Sequence, residues 1–247
     1  MSEGPQVLRR TEWLDRYLAK RTVLRCVSAR TEIPAESLTG RQVQRAFCKG
    51  KHIFIEFDSD VLLHNHLLMR GTWKKLSGNQ LFLPDDTWLG LYVGPYTMCN
   101  LNGQMLRLVN QADVIKQLTT LGPDAMTQPY PTDEIRAALA ATELPISEAL
   151  LDQSVLAGVG NIAKSEILFQ TGLDPRVPAN DVNGATMDRL LESIPKVLWA
   201  SYHAGGRWVC EVYRHVGQRC KICNSVIRMV RLAPSKRATY FCPRCQR

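Results

Sequence analysis

The chain has 247 residues, 45% of them apolar, and a net charge of +8, enough for two domains that each bury a core of their own. It shows no charged-then-apolar leader and no apolar run of about eighteen residues, which argues against secretion and membrane insertion and leads to the expectation of a cytoplasmic protein. Ten Lys or Arg against one acid, Glu211, lie from His203 onward, leaving the preceding 202 residues close to neutral; such a basic tail is the footprint of a polyanion binder, most often nucleic acid, or a solvated basic face.

Behind MSEG, the segment PQVLRRTEWLDRYLAKR places Val7, Thr11, Leu14 and Leu18 on one helical face and Arg9, Arg10, Asp15 and Arg16 off it. Pro5 suits the first helical turn, so residues 2 to 4 are held close to an anchored helix. From about Thr22 to Val109 the pattern changes to short β-rich runs (TVLRCV, HIFIEF, VLLHNHLL and LGLYV) separated by DSD, SGNQ and LNGQ. HIFIEF alternates, with Ile53, Ile55 and Phe57 on one side. Strands at this spacing predict an antiparallel sandwich or barrel. GPDAMTQPYPTDE, with three prolines, reads as a connection into helix, and the periodicity is helical from there to Trp199. The expected organisation is an α+β, two-domain chain. Residues 1–120 form an antiparallel β-sandwich with flanking helices, 121–145 a linker, 146–204 a helical domain and 205–247 a separate cysteine-containing segment.

Of eight cysteines, Cys26, Cys48, Cys99 and Cys210 are scattered and read as small buried or free thiols. The others form CKIC…CPRC, a C-x2-C-x18-C-x2-C spacing of Cys220, Cys223, Cys242 and Cys245. Four thiolates in two close pairs close a tetrahedral shell around one zinc ion and leave no position for water, so the site is expected to be structural. Between the pairs, SVIRMVRL and ATYFC read as strands joined by APSKR, with Lys236 and Arg237 at the tip. Two amphipathic segments, Glu148 to Ala157 and Asn161 to Thr171, flank Gly158-Val159-Gly160-Asn161. Glycines and a helix start suit a phosphate, although Gly158 also reads as a helix C-cap and Asn161 as an N-cap. FCKGKHIFIEF sets Lys51 beside Gly50 at a strand start. In HNHLLMRG, His64 and His66 read as ordinary packing, and Met69 stands in a turn before Gly71.

The order SEGP, GK before a strand, HLLMRG, LGPD, LLDQSVLAGVGNIAKSEILFQTGLDP and VYRHVGQRCKIC…KRATYFCPRCQ resembles the formamidopyrimidine-DNA glycosylase and endonuclease VIII family across the whole chain. The resemblance implies a monomeric base-excision repair enzyme, in a bacterium associated with the nucleoid. It would bind damaged DNA between a β-sandwich and a helix-two-turns-helix domain with a zinc finger. By analogy it flips the damaged nucleotide out of the stack, removes the base through attack at C1′ by an N-terminal amine, and cleaves the strand by β- and then δ-elimination. Glu3 matches the family's acid, Lys51 its essential lysine near the lesion phosphates, Asn161 and Arg237 its phosphate-gripping residues, and Met69 the residue that fills the gap in the duplex.

The family usually reads PEGP and uses the secondary amine of that proline; here the position is Ser2. Methionine before serine is normally removed, which exposes a primary α-amine with a pKa of about 7.7 to 8.0, against about 10.4 for lysine. Ser2 is thus a competent nucleophile, but its imine must be protonated to act as an electron sink. Only RWVCE lies between Gly205-Gly206 and Val212-Tyr213, too short for the loop that caps 8-oxoguanine in formamidopyrimidine-type members, and a DPRRF-like stretch is missing. Both favour the endonuclease VIII side and oxidised pyrimidines. A catalytically impaired damage binder of the same fold is the alternative, and a zinc-ribbon adaptor leaves Glu3, Lys51 and the glycine turn unexplained.

Overall fold

A computed structural model describes residues 2–29, 33–78, 83–103 and 105–247. The chain divides into two units, one of residues 2 and 7–119 and the other of residues 3–6 and 120–247. Helix α1 (Gly4–Leu18) therefore begins in the second and continues in the first.

The first unit is a sandwich of two antiparallel four-stranded sheets. Strands β1 (Arg25–Ser28), β2 (Val43–Lys49), β3 (His52–Phe57), β4 (Val61–His66), β5 (Thr72–Ser77), β6 (Thr87–Tyr92), β7 (Tyr96–Leu101) and β8 (Met105–Asn110) are arranged in the orders β1-β6-β7-β5 and β2-β3-β4-β8. The predicted face of α1 is the buried one: Val7, Leu14 and Leu18 join Leu89, Leu91 and Met98 of one sheet and Ile53, Ile55 and Phe57 of the other in a single core. HIFIEF has two buried faces rather than one, because Phe54 packs with Leu62 and Val114 beneath α2 (Gln111–Thr119). Asn65 pins the layers: its Oδ1 accepts from Trp73 Nε1 at 2.9 Å and from Asn100 Nδ2 at 3.3 Å, and its Nδ2 donates to the Met105 carbonyl. A buried amide satisfied in this way fixes register between sheets that apolar contacts alone would leave loosely specified. The SGNQ and LNGQ turns fall partly outside the described residues.

The second unit contains α3 (Thr132–Ala140), α4 (Ile146–Ala149), α5 (Asn161–Thr171), α6 (Gly184–His203) and the antiparallel hairpin of β9 (Arg228–Arg231) and β10 (Ala238–Phe241). The 121–145 stretch carries α3, whose Ile135 and Leu139 are buried. The segment expected as an amphipathic helix from Glu148 to Ala157 is only the four-residue α4, followed by turns. Asp152 explains the stop: its Oδ1 accepts from Ser154 N–H and Oγ, offering the backbone a local turn in place of helix. α5 has the predicted bounds, with Gly160 as N-cap and Gly172 (φ 72°) in the left-handed position that glycine supplies. All its residues except Ile162 and Gln170 are buried. Among the described residues no helix is long and apolar enough to cross a membrane.

Candidate functional site

In the second unit, the site is built around the first turn of α5. A helix start leaves backbone N–H groups without intrahelical acceptors and carries positive potential. Here the Ile162 and Ala163 N–H groups donate to Glu3 Oε1 at 2.8 Å and Oε2 at 3.0 Å. Glu3 is fully buried, and its own N–H donates to Gln6 Oε1 at 3.0 Å, half of a capping box for α1. Gly4 N–H donates to the Gly158 carbonyl at 2.8 Å. Gly160 must be glycine because of this carboxylate, since a Cβ there would lie 2.3 Å from Glu3 Cδ, and Gly158 adopts a left-handed φ of 98°.

Asn161 is the first residue of α5, not its cap. Its Nδ2 donates to the Ala238 carbonyl at 3.1 Å, while its buried Oδ1 has no hydrogen-bond partner among the described residues. Glu3, Asn161 and the residue that follows Arg237 are thus brought to one helix start. Arg237 is exposed at the end of the finger loop, where its N–H donates to Ser235 Oγ. The loop is tied to α4 through Ser235 N–H, which donates to Glu148 Oε2 at 2.8 Å, and is closed by Arg231 Nη1 donating to the Lys236 carbonyl.

Cys220, Cys223, Cys242 and Cys245 converge, with all four Sγ atoms within 4.8 Å of one another. The pairs Cys220–Cys245 and Cys223–Cys242 stand 3.8 and 3.3 Å apart. A tetrahedron with metal–sulfur bonds of about 2.3 Å has edges of about 3.8 Å, so the donor set fits one metal ion with little movement. Phe169, Val212 and Ile227 pack with Cys220 and Cys242 beneath the hairpin.

The first unit holds the other candidate residues. Ser2 N–H donates to the Leu68 carbonyl at 3.2 Å, beside the turn in which Met69 is 61% exposed. Leu68 adopts a left-handed φ of 47°, and a Cβ at Gly71 would meet the Leu67 carbonyl at 2.6 Å, so the tight turn that projects Met69 requires glycine there. Lys51 occupies the two-residue turn between β2 and β3, in which Gly50 has φ 58°, as expected for a hairpin with glycine at its first central position.

His52, His64 and His66 lie together on β3 and β4, His52 Nδ1 sitting 2.9 Å from His64 Nε2. His64 stacks on Phe54 with ring centroids 4.6 Å apart, and His66 Nδ1 accepts from Leu68 N–H. They are packing residues, and the four cysteines are the only metal-type cluster among the described residues. Burial holds the three rings neutral, at about 4 for His52, 3 for His64 and 4 for His66. His66, Lys51 and Arg107 add to the effect on His52; His52, Arg107 and His66 on His64; and Lys51 on His66. In the unfolded chain such rings take up protons near pH 6.5. Between about pH 6.5 and 4 the unfolded state therefore binds more protons than the folded one, and stability falls as pH falls. The melting temperature of this unit is expected to drop through that window, with a shallower slope in His64→Gln, read by tryptophan fluorescence.

None of the scattered cysteines is joined in a disulfide; burial pushes Cys26 up to about 12 and Cys99 up to about 11, so neither is a nucleophile near neutral pH. Sequence reasoning missed two buried charges of α5. Glu166 accepts backbone N–H groups from Glu211, Val212 and Tyr213, which anchors the short stretch after Gly206, and Lys164 is completely buried. The available signal was an apolar helix containing two charges that no exposed face could take. Gln6 holds the other end of the stretch, its Nε2 donating to the Gly206 carbonyl at 2.6 Å.

A sandwich, a helix start that binds a carboxylate and a four-thiolate finger define a recognisable class. Residues 1–93 match the formamidopyrimidine-DNA glycosylase N-terminal domain and residues 121–210 its H2TH domain. The chain belongs to the formamidopyrimidine-DNA glycosylase and endonuclease VIII family. It is 33% identical to Endonuclease 8 2 of Mycobacterium tuberculosis over the whole of both chains. It is 31% identical to the formamidopyrimidine-DNA glycosylase of Methylococcus capsulatus over 88% of each. The fold is that of Lactococcus lactis Fpg in complex with DNA containing an abasic site, with a TM-score of 0.87 at 21% identity over all of both chains.

Proposed function

We propose that this protein is a bifunctional DNA glycosylase and abasic-site lyase of endonuclease VIII type, working as a cytoplasmic monomer on oxidised bases, pyrimidines above all. The observation that carries the reading is the buried Glu3 carboxylate, gripped by two N–H groups of α5 directly after Ser2 in the chain. A carboxyl group placed next to an N-terminal amine is what base removal by covalent attack requires. Loss of Met1 frees the Ser2 amine. It attacks C1′ of the flipped nucleotide and passes a proton to the Glu3 carboxylate, the base departs with its bonding electrons and takes a proton from water, and the sugar opens to a protonated imine as Glu3 hands its proton to the ring oxygen. With the protonated imine as electron sink, the 2′ proton passes to the Glu3 carboxylate and the 3′ phosphate leaves; loss of the 4′ proton to solvent then expels the 5′ phosphate. Lys51, Asn161 and Arg237 grip the phosphates and Met69 fills the vacated stack.

Zinc in the four-cysteine site holds the hairpin in shape and takes no part in the chemistry. The names of the relatives support the activity, Endonuclease 8 of Salmonella paratyphi B among them at 28% identity over both chains. The short stretch after Gly206, held by Gln6 and Glu166, supports the pyrimidine preference, as it leaves no long loop to cap a purine.

Serine in place of the family's proline favours a second reading, a damage binder without turnover. Borohydride trapping on an abasic-site duplex, with intact mass and peptide mapping, separates the two. A crosslink at Ser2 in protein lacking Met1 is the expected result. Tight binding with no crosslink, Met1 having been removed, would establish the binder.

A further inference from the structure

Lys164 has no exposed surface, and its Nζ has no hydrogen-bond partner among the described residues. A buried ammonium with nothing to donate to is costly and persists only where opposite charge surrounds it. Two carboxylates act on it. Glu148 of α4 is 2% exposed, with Oε2 committed to Ser235 N–H and Oε1 buried without a partner among the described residues; the Glu3 carboxylate is held by the N–H groups of Ile162 and Ala163, directly before Lys164 in the helix. Burial pulls the lysine down to about 8, Glu148 pushing it up, Arg237 pulling it down and Glu3 pushing it up, so it remains mostly charged at neutral pH. α6 and β10 also pack on α5, and the charges acting on Lys164 are those of Glu148, Arg237 and Glu3. Glu3 in turn faces the Ile162 and Ala163 N–H groups and acts on the Cys210 thiol.

Resting on the activity proposed above, we propose that Lys164 is a positioning residue for Glu3: its buried positive charge, shared between Glu3 and Glu148, keeps the acid ionised in the free enzyme and couples it to the finger loop that bears Arg237. An unsupported helix would stabilise the Glu3 carboxylate through its N–H groups alone. With Lys164 the acid's proton affinity also responds to the carboxylate that holds Ser235, so a disturbed finger loop is felt at the acid. Glu148 was within the glycine-turn segment noted from the sequence, but its tie to the finger is a tertiary contact.

The test follows the Glu3 side-chain carboxyl by carbon NMR in protein labelled with ¹³C-glutamate, its signal assigned by its loss in Glu3→Gln, while base removal is measured on the same samples across pH. In Lys164→Met the Glu3 midpoint is expected to rise by about one unit or more, with the matching limb of the rate profile moving alongside it, whereas Lys164→Arg restores both towards wild type. A folded, zinc-replete Lys164→Met with an unmoved Glu3 midpoint overturns the proposal. Lys164→Gln gives the same reading should the methionine variant not fold. If both neutral variants fail to fold while Lys164→Arg folds, the charge is a folding requirement and the positioning role is overturned. A shifted Glu3 midpoint in a chain whose wild type removes no base overturns the underlying activity rather than the electrostatic link.

Discussion

Glu3→Gln is expected to slow base removal by about 10²- to 10⁴-fold, the range that a positioned acid or base contributes, with binding to a duplex carrying a tetrahydrofuran abasic analogue changed far less. Glutamine is the informative substitution because it keeps the shape and one acceptor oxygen. The carboxylate takes N–H bonds from both Ile162 and Ala163; the amide can satisfy one, and its NH₂ faces the other donor. That leaves one buried N–H unpaired, a cost of about 1 to 3 kcal/mol. The variant should therefore melt lower while staying folded. Single-turnover release of an oxidised pyrimidine, set beside the affinity for the abasic analogue, separates the two effects. A rate within tenfold of wild type would remove Glu3 from the chemistry and leave it as a helix cap.

Cys242→Ser should abolish stoichiometric zinc and weaken DNA binding by about 10²-fold or more. Structural zinc sites supply about 10–16 kcal/mol of folding free energy in isolated fingers. The apolar cluster under this hairpin is small, consisting of Phe169, Val212, Cys220, Ile227 and Cys242 with a few partly buried neighbours. It cannot replace that contribution at about 1.5 to 3 kcal/mol per large side chain. Without the metal, β9 and β10 lose their frame, and with them the loop that presents Arg237 and the Ala238 carbonyl that receives Asn161. Hydrogen exchange should show protection lost across 215–247 and kept in α6, whose Leu190, Ile194 and Leu198 are buried independently of the finger. Full protection of the hairpin in metal-free protein would show that the cysteines pack as thiols and that the finger needs no ion.

Several features were legible in the sequence because the physics that sets them is local. The face of α1, the bounds of α5 between two glycines and the cysteine spacing follow from helical period, backbone freedom at glycine and the reach of two thiolates across a tight turn. The strands β2, β5, β7 and β8 were harder to see. VQRAFCK and TWKKLS have weak alternation, and TWKKLS pairs with β7 across the intervening β6. The full burial of YTMCNL on β7 leaves it no periodic signal. Likewise HIFIEF announced one buried face; the second exists because α2 covers it, which no local pattern records.

The sequence by itself determined the composition of the site: an acid behind Ser2, a glycine turn, a lysine in a hairpin, four cysteines and a basic tail. Tertiary structure alone decided which groups share an environment. Folding carries Glu3 to a helix start almost 160 residues along the chain, buries Lys164 on the same helix and ties the finger loop to Glu148. Burial and the pairing of unsatisfied donors with distant acceptors depend on the whole fold, and they turn ordinary surface residue types into a buried charged network.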